Sequence, residues 1–268
     1  AITSDNLTTT GPPRTFAPHD ANSDIDARDK HANFVQPTYN TLKFANVSHA
    51  YNYRDAIAKL QAHSVFFVEH CCSIAKVEAC KQEWLGYGIK ALFSPVDPEQ
   101  TLGGGVGAYA REPHRLFRMK PKSHKLAKLI HMGRVDMYGV DIGSTAHAIV
   151  FCLYGWTGGE DNTHAAARTD DICSAIYAEQ TLYPGVPMCI AGDINCLPSN
   201  LPRLSRLLDT HHRWTDLGAM ASAWGGVDNQ GTCRAPNSLT YNRRDVIIAN
   251  PLFFSLIYRF YLEHDYFD

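Results

Sequence analysis

The sequence offers little that would assign it at once to a class of protein. Its formal net charge is only −2, so it has no global basic field, and contact with nucleic acid phosphates would require a local basic patch. Its eight cysteines include no Cys-x-x-Cys pair. We therefore expect them to be mostly buried small hydrophobic residues, and a disulfide between two of them stays open.

Long uninterrupted apolar runs are also missing. The longest late stretch, Val246 to Leu262, contains Asn250, Pro251 and Arg259, and these residues interrupt it too often for a membrane span. The N-terminus has no apolar segment typical of an uncleaved secretory signal. The compartment is therefore left open.

The remaining composition is that of a globular protein. Of the 268 residues, 45% are hydrophobic and 19% are charged, which suits one large domain or two small ones. Residues 1–39 are rich in Thr, Asp, Asn and Pro and show almost no hydrophobic periodicity, so we predict a disordered or extended tail there. Residues 40–268 are predicted to form the folded domain.

Hydrophobic patterns in this domain predict alternating strands and helices. Ser64 to Val68 is a continuous apolar run, which is typical of a strand covered on both faces, and Thr163 to Leu182 has the spacing of a long helix. Further strands are predicted at 42–47, 89–93, 106–110, 134–140, 148–153, 187–191 and 245–249, and further helices at 53–62, 74–85 and 201–208. Some strands follow one another directly, so the pattern favours an α/β fold with mixed sheets over a purely parallel winding.

Polar residues follow the ends of several predicted strands. Asn46, Glu69, Asp193, Asn195 and Asp245 occupy such positions, where a rigid backbone holds side chains that reach solvent. Asp193 and Asn195, two residues apart on a segment predicted to be extended, should point to the same side. Mg²⁺ takes one or two carboxylates and keeps several waters, so Glu69 is its natural ligand, while Asp193 could activate a water and Asn195 could hold a phosphate oxygen. The alternatives are that Asp193 is only a turn residue and Glu69 only a carboxylate at a helix N-terminus.

Two other kinds of site are not expected. Adjacent residues of a strand alternate between its faces, so Glu69, His70, Cys71 and Cys72 cannot converge on one zinc ion. Residues 103–108 fit a glycine-rich dinucleotide-binding pattern by letter only, because no helix that could cradle a phosphate is predicted after them.

Six motifs occur in an order that resembles that of the endonuclease/exonuclease/phosphatase superfamily, which includes DNase I-like and AP-endonuclease-like proteins. They extend from about Leu42 to the C-terminus, and the resemblance rests on their order, since the G-D-x-N motif alone is weakly specific. In chain order they are Phe44-Ala45-Asn46-Val47, Val68-Glu69, the glycine-rich segment 103–107, Leu153-Tyr154-Gly155, Gly192-Asp193-Ile194-Asn195, and Gly231-Thr232-Cys233-Arg234 followed by Arg244-Asp245-Val246. Within the superfamily, the chain most resembles the endonuclease domains that are fused to retroelement reverse transcriptases.

The resemblance implies a four-layered α/β sandwich with two packed mixed β-sheets flanked by helices. It also implies roles for particular side chains. These are Mg²⁺ or Mn²⁺ binding for Glu69; phosphate binding for Asn46, Asn195 and Tyr154; and catalysis for Asp193, Asn195, Asp245 and Tyr154.

The chain departs from the family pattern in three places. Val68 stands where the family has Gln before the metal-binding Glu, and Arg244 and Val246 replace an apolar residue and a Tyr on either side of the later aspartate. The family's terminal Ser-Asp-His motif and the strand after it are not found, since His264 and Asp265 occur in reversed order.

Two main functions are consistent with these observations. The first is a Mg²⁺-dependent phosphodiesterase, an endonuclease that nicks DNA through attack of a metal-activated water on phosphate. The second is a catalytically inactive relative that serves as a structural or interaction subunit of a larger assembly. Its protein partners would bind the tail and the basic segment 111–134, which holds eight basic residues and one acidic residue. The alternative is that this segment is a solvated hairpin or loop with no partner. A third, weaker possibility is a phosphatase acting on a small phosphorylated molecule.

Overall fold

The computed structural model describes residues 41–97, 103–142, 146–209, 211–234 and 241–262. Contacts divide the chain into two units, residues 1–38 and residues 39–268, and all described residues belong to the second unit. The tail predicted at 1–39 therefore lies outside the described residues, as do His264 and Asp265.

Strands and helices alternate along the described chain. The strands are β1 (Leu42–Asn46), β2 (Ser64–Val68), β3 (Ile89–Phe93), β4 (Val106–Arg111), β5 (Leu116–Arg118), β6 (Val135–Asp141), β7 (His147–Tyr154), β8 (Met188–Asp193), β9 (Thr215–Asp216), β10 (Cys233–Arg234), β11 (Tyr241–Asn242) and β12 (Asp245–Ala249). The helices are α1 (Arg54–Lys59), α2 (Ile74–Leu85), α3 (His124–His131), α4 (Thr163–Gln180), α5 (Pro202–Leu208) and α6 (Pro251–Phe254). Short 3₁₀ segments cover Pro198–Asn200 and Gly218–Trp224.

The described strands form two large sheets and a two-stranded ribbon. The first sheet has the order β1-β2-β4-β3, in which β1 and β2 are parallel and the other pairs are antiparallel. The second has the order β5-β6-β7-β8-β12-β9, with a parallel β7–β8 pair among antiparallel neighbours. Strands β10 and β11 form the ribbon. The prediction of mixed sheets is confirmed.

The side chains of β2 show how the layers are built. Phe66 and Val68 pack between the two sheets, whereas Val65 and Phe67 pack against α1 and α2, as the two-residue period of a strand requires. Helices α3, α4 and α5 cover the outer face of the second sheet. The order of layers is helix, sheet, sheet, helix, so the predicted four-layered sandwich is confirmed.

The basic segment 111–134 differs from the hairpin or loop considered above, because it contains β5 and α3. Leu126 and Leu129 of α3 are buried against the second sheet. Five of the eight basic residues make internal contacts: Arg111, Arg118, Lys122, Lys125 and Arg134. The docking surface for a partner stays a prediction, and the basic residues outside these contacts are Arg115, Lys120 and Lys128.

Two further predictions concern cysteines and membranes. All eight cysteines lie in described parts of the chain as free thiols, and six of them are buried, so their prediction as mainly buried small hydrophobic residues is confirmed. None of the described helices is long and apolar enough to cross a membrane.

Candidate functional site

Five strands bring polar residues to one edge of the two sheets. Asn46 ends β1 and Glu69 follows β2 in the first sheet, while Tyr154 ends β7 and Asp193 ends β8 in the second. Asp245 begins β12, which runs antiparallel to β8, and its register partner there is Asp193. The polar residues selected from the sequence are therefore brought to one edge from both sheets.

Asn46 links the two sheets at the centre of this cluster. Its amide nitrogen donates to Asp193 Oδ2 at 2.8 Å and to Asp245 Oδ1 at 3.1 Å. One neutral side chain therefore supplies donors to two carboxylates that repel each other. Asp245 is also held by Thr232 of the G-T-C-R motif, whose hydroxyl accepts the backbone N–H of Asp245 at 3.1 Å.

Glu69 lies in a left-handed turn after β2. Its φ is +59° and that of Cys71 is +49°, values that residues with a Cβ adopt only when the surrounding structure enforces them. Backbone hydrogen bonds fix the turn, from His49 N to Glu69 O at 3.2 Å and from Cys71 N to Gly104 O at 3.1 Å. Strain at a carboxylate on the site edge supports a functional role for Glu69.

The glycine-rich segment packs beneath this turn. Gly105 has a φ of +84°, and a Cβ at this position would overlap the imidazole of His70. His70 is fully buried, and its Nε2 lies 3.2 Å from Ser94 O. It therefore supports the turn beneath Glu69. Val68, which replaces the family's Gln, is also fully buried and lies between the sheets.

Tyr154 lies beside Asp193, its register partner in the β7–β8 pair. Burial raises the pKa of the Tyr154 phenol well above its ordinary value, a hydrogen bond with Thr157 lowers it, and the nearby Glu69 carboxylate raises it again. The phenol is therefore protonated at neutral pH and can donate a hydrogen bond.

Asn195 reaches Asp193 in a way that the sequence did not predict. The segment is not extended at this point, because Asn195 has a φ of +51°, a conformation that Asn tolerates better than most residues. Its backbone N donates to Asp193 Oδ1 at 2.7 Å, and its Nδ2 donates to Gly155 O at 3.1 Å. The two side chains are therefore linked through a tight turn, and the expectation of an extended segment was wrong.

Asp193 and Asp245 form a pair of repelling carboxylates. Burial raises the pKa of Asp193 to about 7, with Asp245 and Glu69 adding to the rise and hydrogen bonds from Asn195 N and Asn46 opposing it. Burial also raises the pKa of Asp245, against hydrogen bonds from Thr232 and Asn46. A carboxyl group with a pKa near 7 can accept or release a proton at neutral pH.

A second polar cluster borders the site beside β12. Arg244 forms a two-point ion pair with Glu160, with Nε to Oε1 at 3.1 Å and Nη2 to Oε2 at 2.8 Å. Asn242 donates to the same carboxylate at 3.2 Å. Arg244, which departs from the family pattern, thereby ties the strand that carries Asp245 to the loop that follows Tyr154.

Sequence analysis missed the roles of Asp97, Arg134 and Glu160 at this edge. It placed Arg134 in a basic surface segment, but the side chain is fully buried and forms an ion pair with Asp97. The available signal was the position of Arg134 directly before the apolar strand β6, since a charge that close to the core is normally paired. Its partner is 37 residues away, and a single sequence does not identify such a pairing.

The described residues contain no group of three or more His, Cys, Asp or Glu side chains placed to hold a metal ion unaided. Mg²⁺ does not require such a group, because it binds through one or two carboxylates and keeps several waters. Glu69, Asp193 and Asp245 offer hard oxygen donors, and burial followed by repulsion from Asp245 and Glu69 raises the pKa of Asp193. A divalent cation would relieve that repulsion, so the donor set fits Mg²⁺ or Mn²⁺.

Several solved structures share this architecture at low sequence identity. The 3′ phosphatase NExo from Neisseria, bound to a product DNA hairpin, is 14% identical, with a TM-score of 0.58 over 80% of this chain and 88% of that chain. The APE2 catalytic domain from Xenopus laevis is 12% identical, with a TM-score of 0.59 over 79% and 82% of the two chains. The endonuclease domain of TRAS1, a telomere-specific non-LTR retrotransposon, is 14% identical, with a TM-score of 0.54 over 85% and 93%.

No protein-family profile matches the chain, and no curated protein matches it either. The structural similarity nevertheless covers most of this chain and most of each of these three structures. The chain therefore has the fold of the endonuclease/exonuclease/phosphatase superfamily, and the resemblance identified from its motifs is confirmed for the fold.

Proposed function

We propose that this chain is a Mg²⁺-dependent phosphodiesterase that nicks DNA. The observation that carries the proposal is the bridge from Asn46 to both Asp193 and Asp245, with Glu69 and Tyr154 beside it. This arrangement joins two sheets through residues 147 and 199 positions apart. Maintaining like charges around the buried Asp193 costs stability, and such a cost is typical of a functional site.

Glu69 is the residue proposed to hold the cation, with Asp193 and Asp245 contributing negative charge around it. When bound, Mg²⁺ or Mn²⁺ would polarise the phosphate and lower the pKa of a nearby water. The positive charge would also favour the ionised forms of Asp193 and Asp245, whose pKa values are raised without it.

Asp193 is proposed to take a proton from the attacking water. Its pKa is raised to about 7 without the cation, and the bound cation would lower it, which leaves an ionised carboxylate as the general base at neutral pH. Asn46 holds the Asp193 carboxylate in place and favours its charged form by donating a hydrogen bond. The protonated phenol of Tyr154 and the second N–H of the Asn195 amide are proposed to donate hydrogen bonds to phosphate oxygens, where negative charge accumulates during the reaction. Asn46, which the motif resemblance also assigned to phosphate binding, already donates both amide N–H groups to Asp193 and Asp245, so its proposed part is to hold these carboxylates.

Two observations support DNA as the substrate over a small phosphorylated molecule. The similar structures described above include a phosphatase bound to a DNA hairpin and a retrotransposon endonuclease domain. In this chain, the exposed Lys128 lies in the last turn of α3, near the end of the connection between β5 and β6. Strand β6 begins beside the end of β7, where Tyr154 N donates to Arg134 O at 2.8 Å, so this connection leads to the site edge and can contact a polyanion there.

The test is nicking of supercoiled plasmid DNA with Mg²⁺ or Mn²⁺, and with EDTA as the metal-free condition. We expect nicking that requires the metal, and we expect Glu69→Gln and Asp193→Asn to reduce the rate by about 10²–10⁴-fold. Calorimetry should show cation binding by the wild-type chain that is lost in Glu69→Gln.

Glu179→Gln is the matched control, because Glu179 is a fully buried carboxylate that accepts from Lys122 N and Ser123 N. It lies near the end of α4, an 18-residue helix that starts near the site, so it should lower stability and leave the nicking rate of the folded protein unchanged. Nicking that persists in a Glu69→Ala, Asp193→Ala double variant would contradict the proposal. A wild-type chain that binds no cation and cuts no DNA would favour the non-catalytic subunit instead.

A further inference from the structure

A fully buried ion pair lies directly behind the candidate site. Arg134, which precedes β6, donates to Asp97 Oδ2 from Nε at 2.9 Å and from Nη2 at 2.5 Å. Neither side chain has any solvent exposure. Removing two charges from water costs as much as their attraction returns, so a buried ion pair is weak evidence of stabilisation. Its other contacts indicate a role beyond stability.

The first of these contacts reaches the site through one backbone carbonyl. Arg134 Nη1 donates to Gly155 O at 3.2 Å, and Asn195 Nδ2 donates to the same oxygen at 3.1 Å. Gly155 N donates in turn to Asp193 O at 2.7 Å. Arg134 thus shares a hydrogen-bond acceptor with a proposed phosphate-binding residue, and that acceptor belongs to a residue bonded to Asp193.

The second contact is with the aromatic residues on either side of Gly155. The guanidinium carbon of Arg134 lies 5.3 Å from the centre of the Tyr154 ring and 4.7 Å from that of Trp156. These distances are within the range of cation–π attraction. Arg134 O also accepts the backbone N–H of Tyr154 at 2.8 Å. The guanidinium therefore contacts three consecutive residues, 154–156, from the buried side.

We propose that the Asp97–Arg134 pair positions Tyr154 and Asn195 for the reaction proposed above. Asp97 holds the guanidinium plane, and the guanidinium fixes the Tyr154 ring and the Gly155 carbonyl that receives Asn195. The pair touches neither substrate nor solvent, so Arg134 is a positioning residue. This inference rests on the proposed function for its catalytic consequence, while its geometric consequence can be measured without any activity.

The chemistry of the contacts explains why arginine is required. Arginine combines several fixed N–H donors with a flat face that packs on aromatic rings, whereas lysine provides a compact ammonium group. Lysine at position 134 could keep the charge pair with Asp97, but it could not also bond Gly155 O and cover both rings. Arg134→Lys therefore separates the charge of the pair from its geometry.

The matched control is the ion pair of Arg118 and Asp136. Arg118 Nε donates to Asp136 Oδ2 at 2.8 Å, and Arg118 Nη2 donates to Phe93 O at 2.9 Å. The Asp136 side chain is fully buried, so this pair also joins an arginine, a buried aspartate and a backbone carbonyl. No described hydrogen bond connects it to residues 154–156. The Arg118 side chain is 40% exposed, whereas Arg134 is fully buried, so Arg118→Lys reports the loss of this bonding geometry away from the site, and the double variant described below addresses the cost of burial.

The experiment compares Arg134→Lys with Arg118→Lys by thermal unfolding, by steady-state kinetics on an oligonucleotide duplex with Mg²⁺, and by ¹⁵N NMR of the Asn195 side-chain amide. We expect both variants to fold with lowered Tm values. Arg134→Lys should lower kcat by about 10–100-fold with a much smaller change in KM, because misplaced groups lose alignment more than binding. It should also shift the Asn195 amide signals, and Arg118→Lys should do neither.

A double variant guards against a purely structural explanation. Asp97→Asn combined with Arg134→Met removes both charges together, so its Tm should recover relative to Arg134→Met alone. We expect kcat to stay low in the double variant. Recovery of kcat together with Tm, or unchanged Asn195 signals in Arg134→Lys, would overturn the inference. If the wild-type chain does not cleave DNA, the proposed function fails, and the NMR comparison still decides whether Arg134 positions Asn195.

Discussion

The two ends of the sheets use asparagines in opposite ways, Asn250 being buried and Asn46 half-buried. At the end away from the candidate site, Asn250 follows β12 and bonds only neutral backbone groups in the described chain. Its Oδ1 accepts from Met188 N at 2.9 Å and Phe253 N at 2.8 Å, and its Nδ2 donates to Val186 O at 2.9 Å. This amide completes the hydrogen bonding of a strand start and a helix start, which is a contribution to stability.

At the site end, Asn46 bonds two carboxylates instead. Asp193 and Asp245 are held together although burial and mutual repulsion raise the pKa of Asp193. The turn residues Glu69 and Asn195 at this end also have left-handed backbones. The difference teaches that burial of a polar group does not by itself indicate a functional site. What distinguishes the site end is that the arrangement of its polar groups lowers the stability of the folded chain.

The largest expected effect concerns the pH dependence of stability at the site end. The pKa of Asp193 is about 7 in the folded chain, against about 3.9 when unfolded. Between these values the folded state binds more protons, so stability is full below about pH 4 and falls as pH rises through 7. In EDTA at pH 8, Asp193→Asn should therefore be more stable than the wild type, by at most about 4 kcal/mol.

Urea unfolding of both proteins at pH 5 and pH 8 measures this effect. The gain from Asp193→Asn should be large at pH 8 and small at pH 5. Asp171→Asn is the control, because Asp171 is an exposed carboxylate paired with Lys125 on the surface and should show no such trend. A gain that is equal at the two pH values would remove the electrostatic basis of the comparison.

The second effect is at the opposite end and has the opposite sign. Asn250→Ala removes three hydrogen bonds to backbone groups, each of which contributes about 1 kcal/mol, so the free energy of unfolding should fall by about 3 kcal/mol. The nicking rate of the folded fraction should not change. Urea unfolding and the plasmid assay measure the two quantities on the same sample.

Asn46→Ala is the matched variant at the site end. Because the Asn46 amide lowers the pKa of Asp193, removal of the amide should raise that pKa. The limb of the pH–rate profile on which the rate increases with pH should then move to higher pH. The rate at neutral pH should fall as well. If Asn46→Ala lowered stability without shifting the profile, the two asparagines would have the same role and the comparison would fail.

Sequence patterns predicted most of the fold because its central strands are buried on both faces. Strands such as β2 and β8 are continuous apolar runs and are therefore recognisable in the sequence. A side chain that directly follows such a strand lies at the edge of its sheet. The G-D-x-N segment then located Asp193 and Asn195. The site could be predicted to this extent because each of its members belongs to a short local motif.

The remaining features depend on contacts between distant parts of the chain. Helix α3 was missed because only two of its residues, Leu126 and Leu129, are buried. The surrounding segment is dominated by basic residues, so its apolar periodicity is weak. The position of Arg134 before β6 indicates a paired charge, but its partner Asp97 is 37 residues away and has no local signal. The left-handed turn at Asn195 was missed because an isolated Asn is compatible with several conformations.

The smallest expected effect tests whether the strained backbone of Glu69 is maintained because its carboxylate binds the cation. Glycine adopts a positive φ without penalty, so Glu69→Gly should raise the free energy of unfolding in EDTA by about 1 kcal/mol and abolish cation binding. Arg213→Gly is the control, since Arg213 is exposed and has a φ of +58°, and it should give a similar gain while leaving cation binding intact. Urea unfolding and calorimetry with Mg²⁺ measure both quantities. Loss of stability in Glu69→Gly, or cation binding that survives it, would show that the turn is built for packing, and the contrast between the two ends would then rest on the aspartates alone.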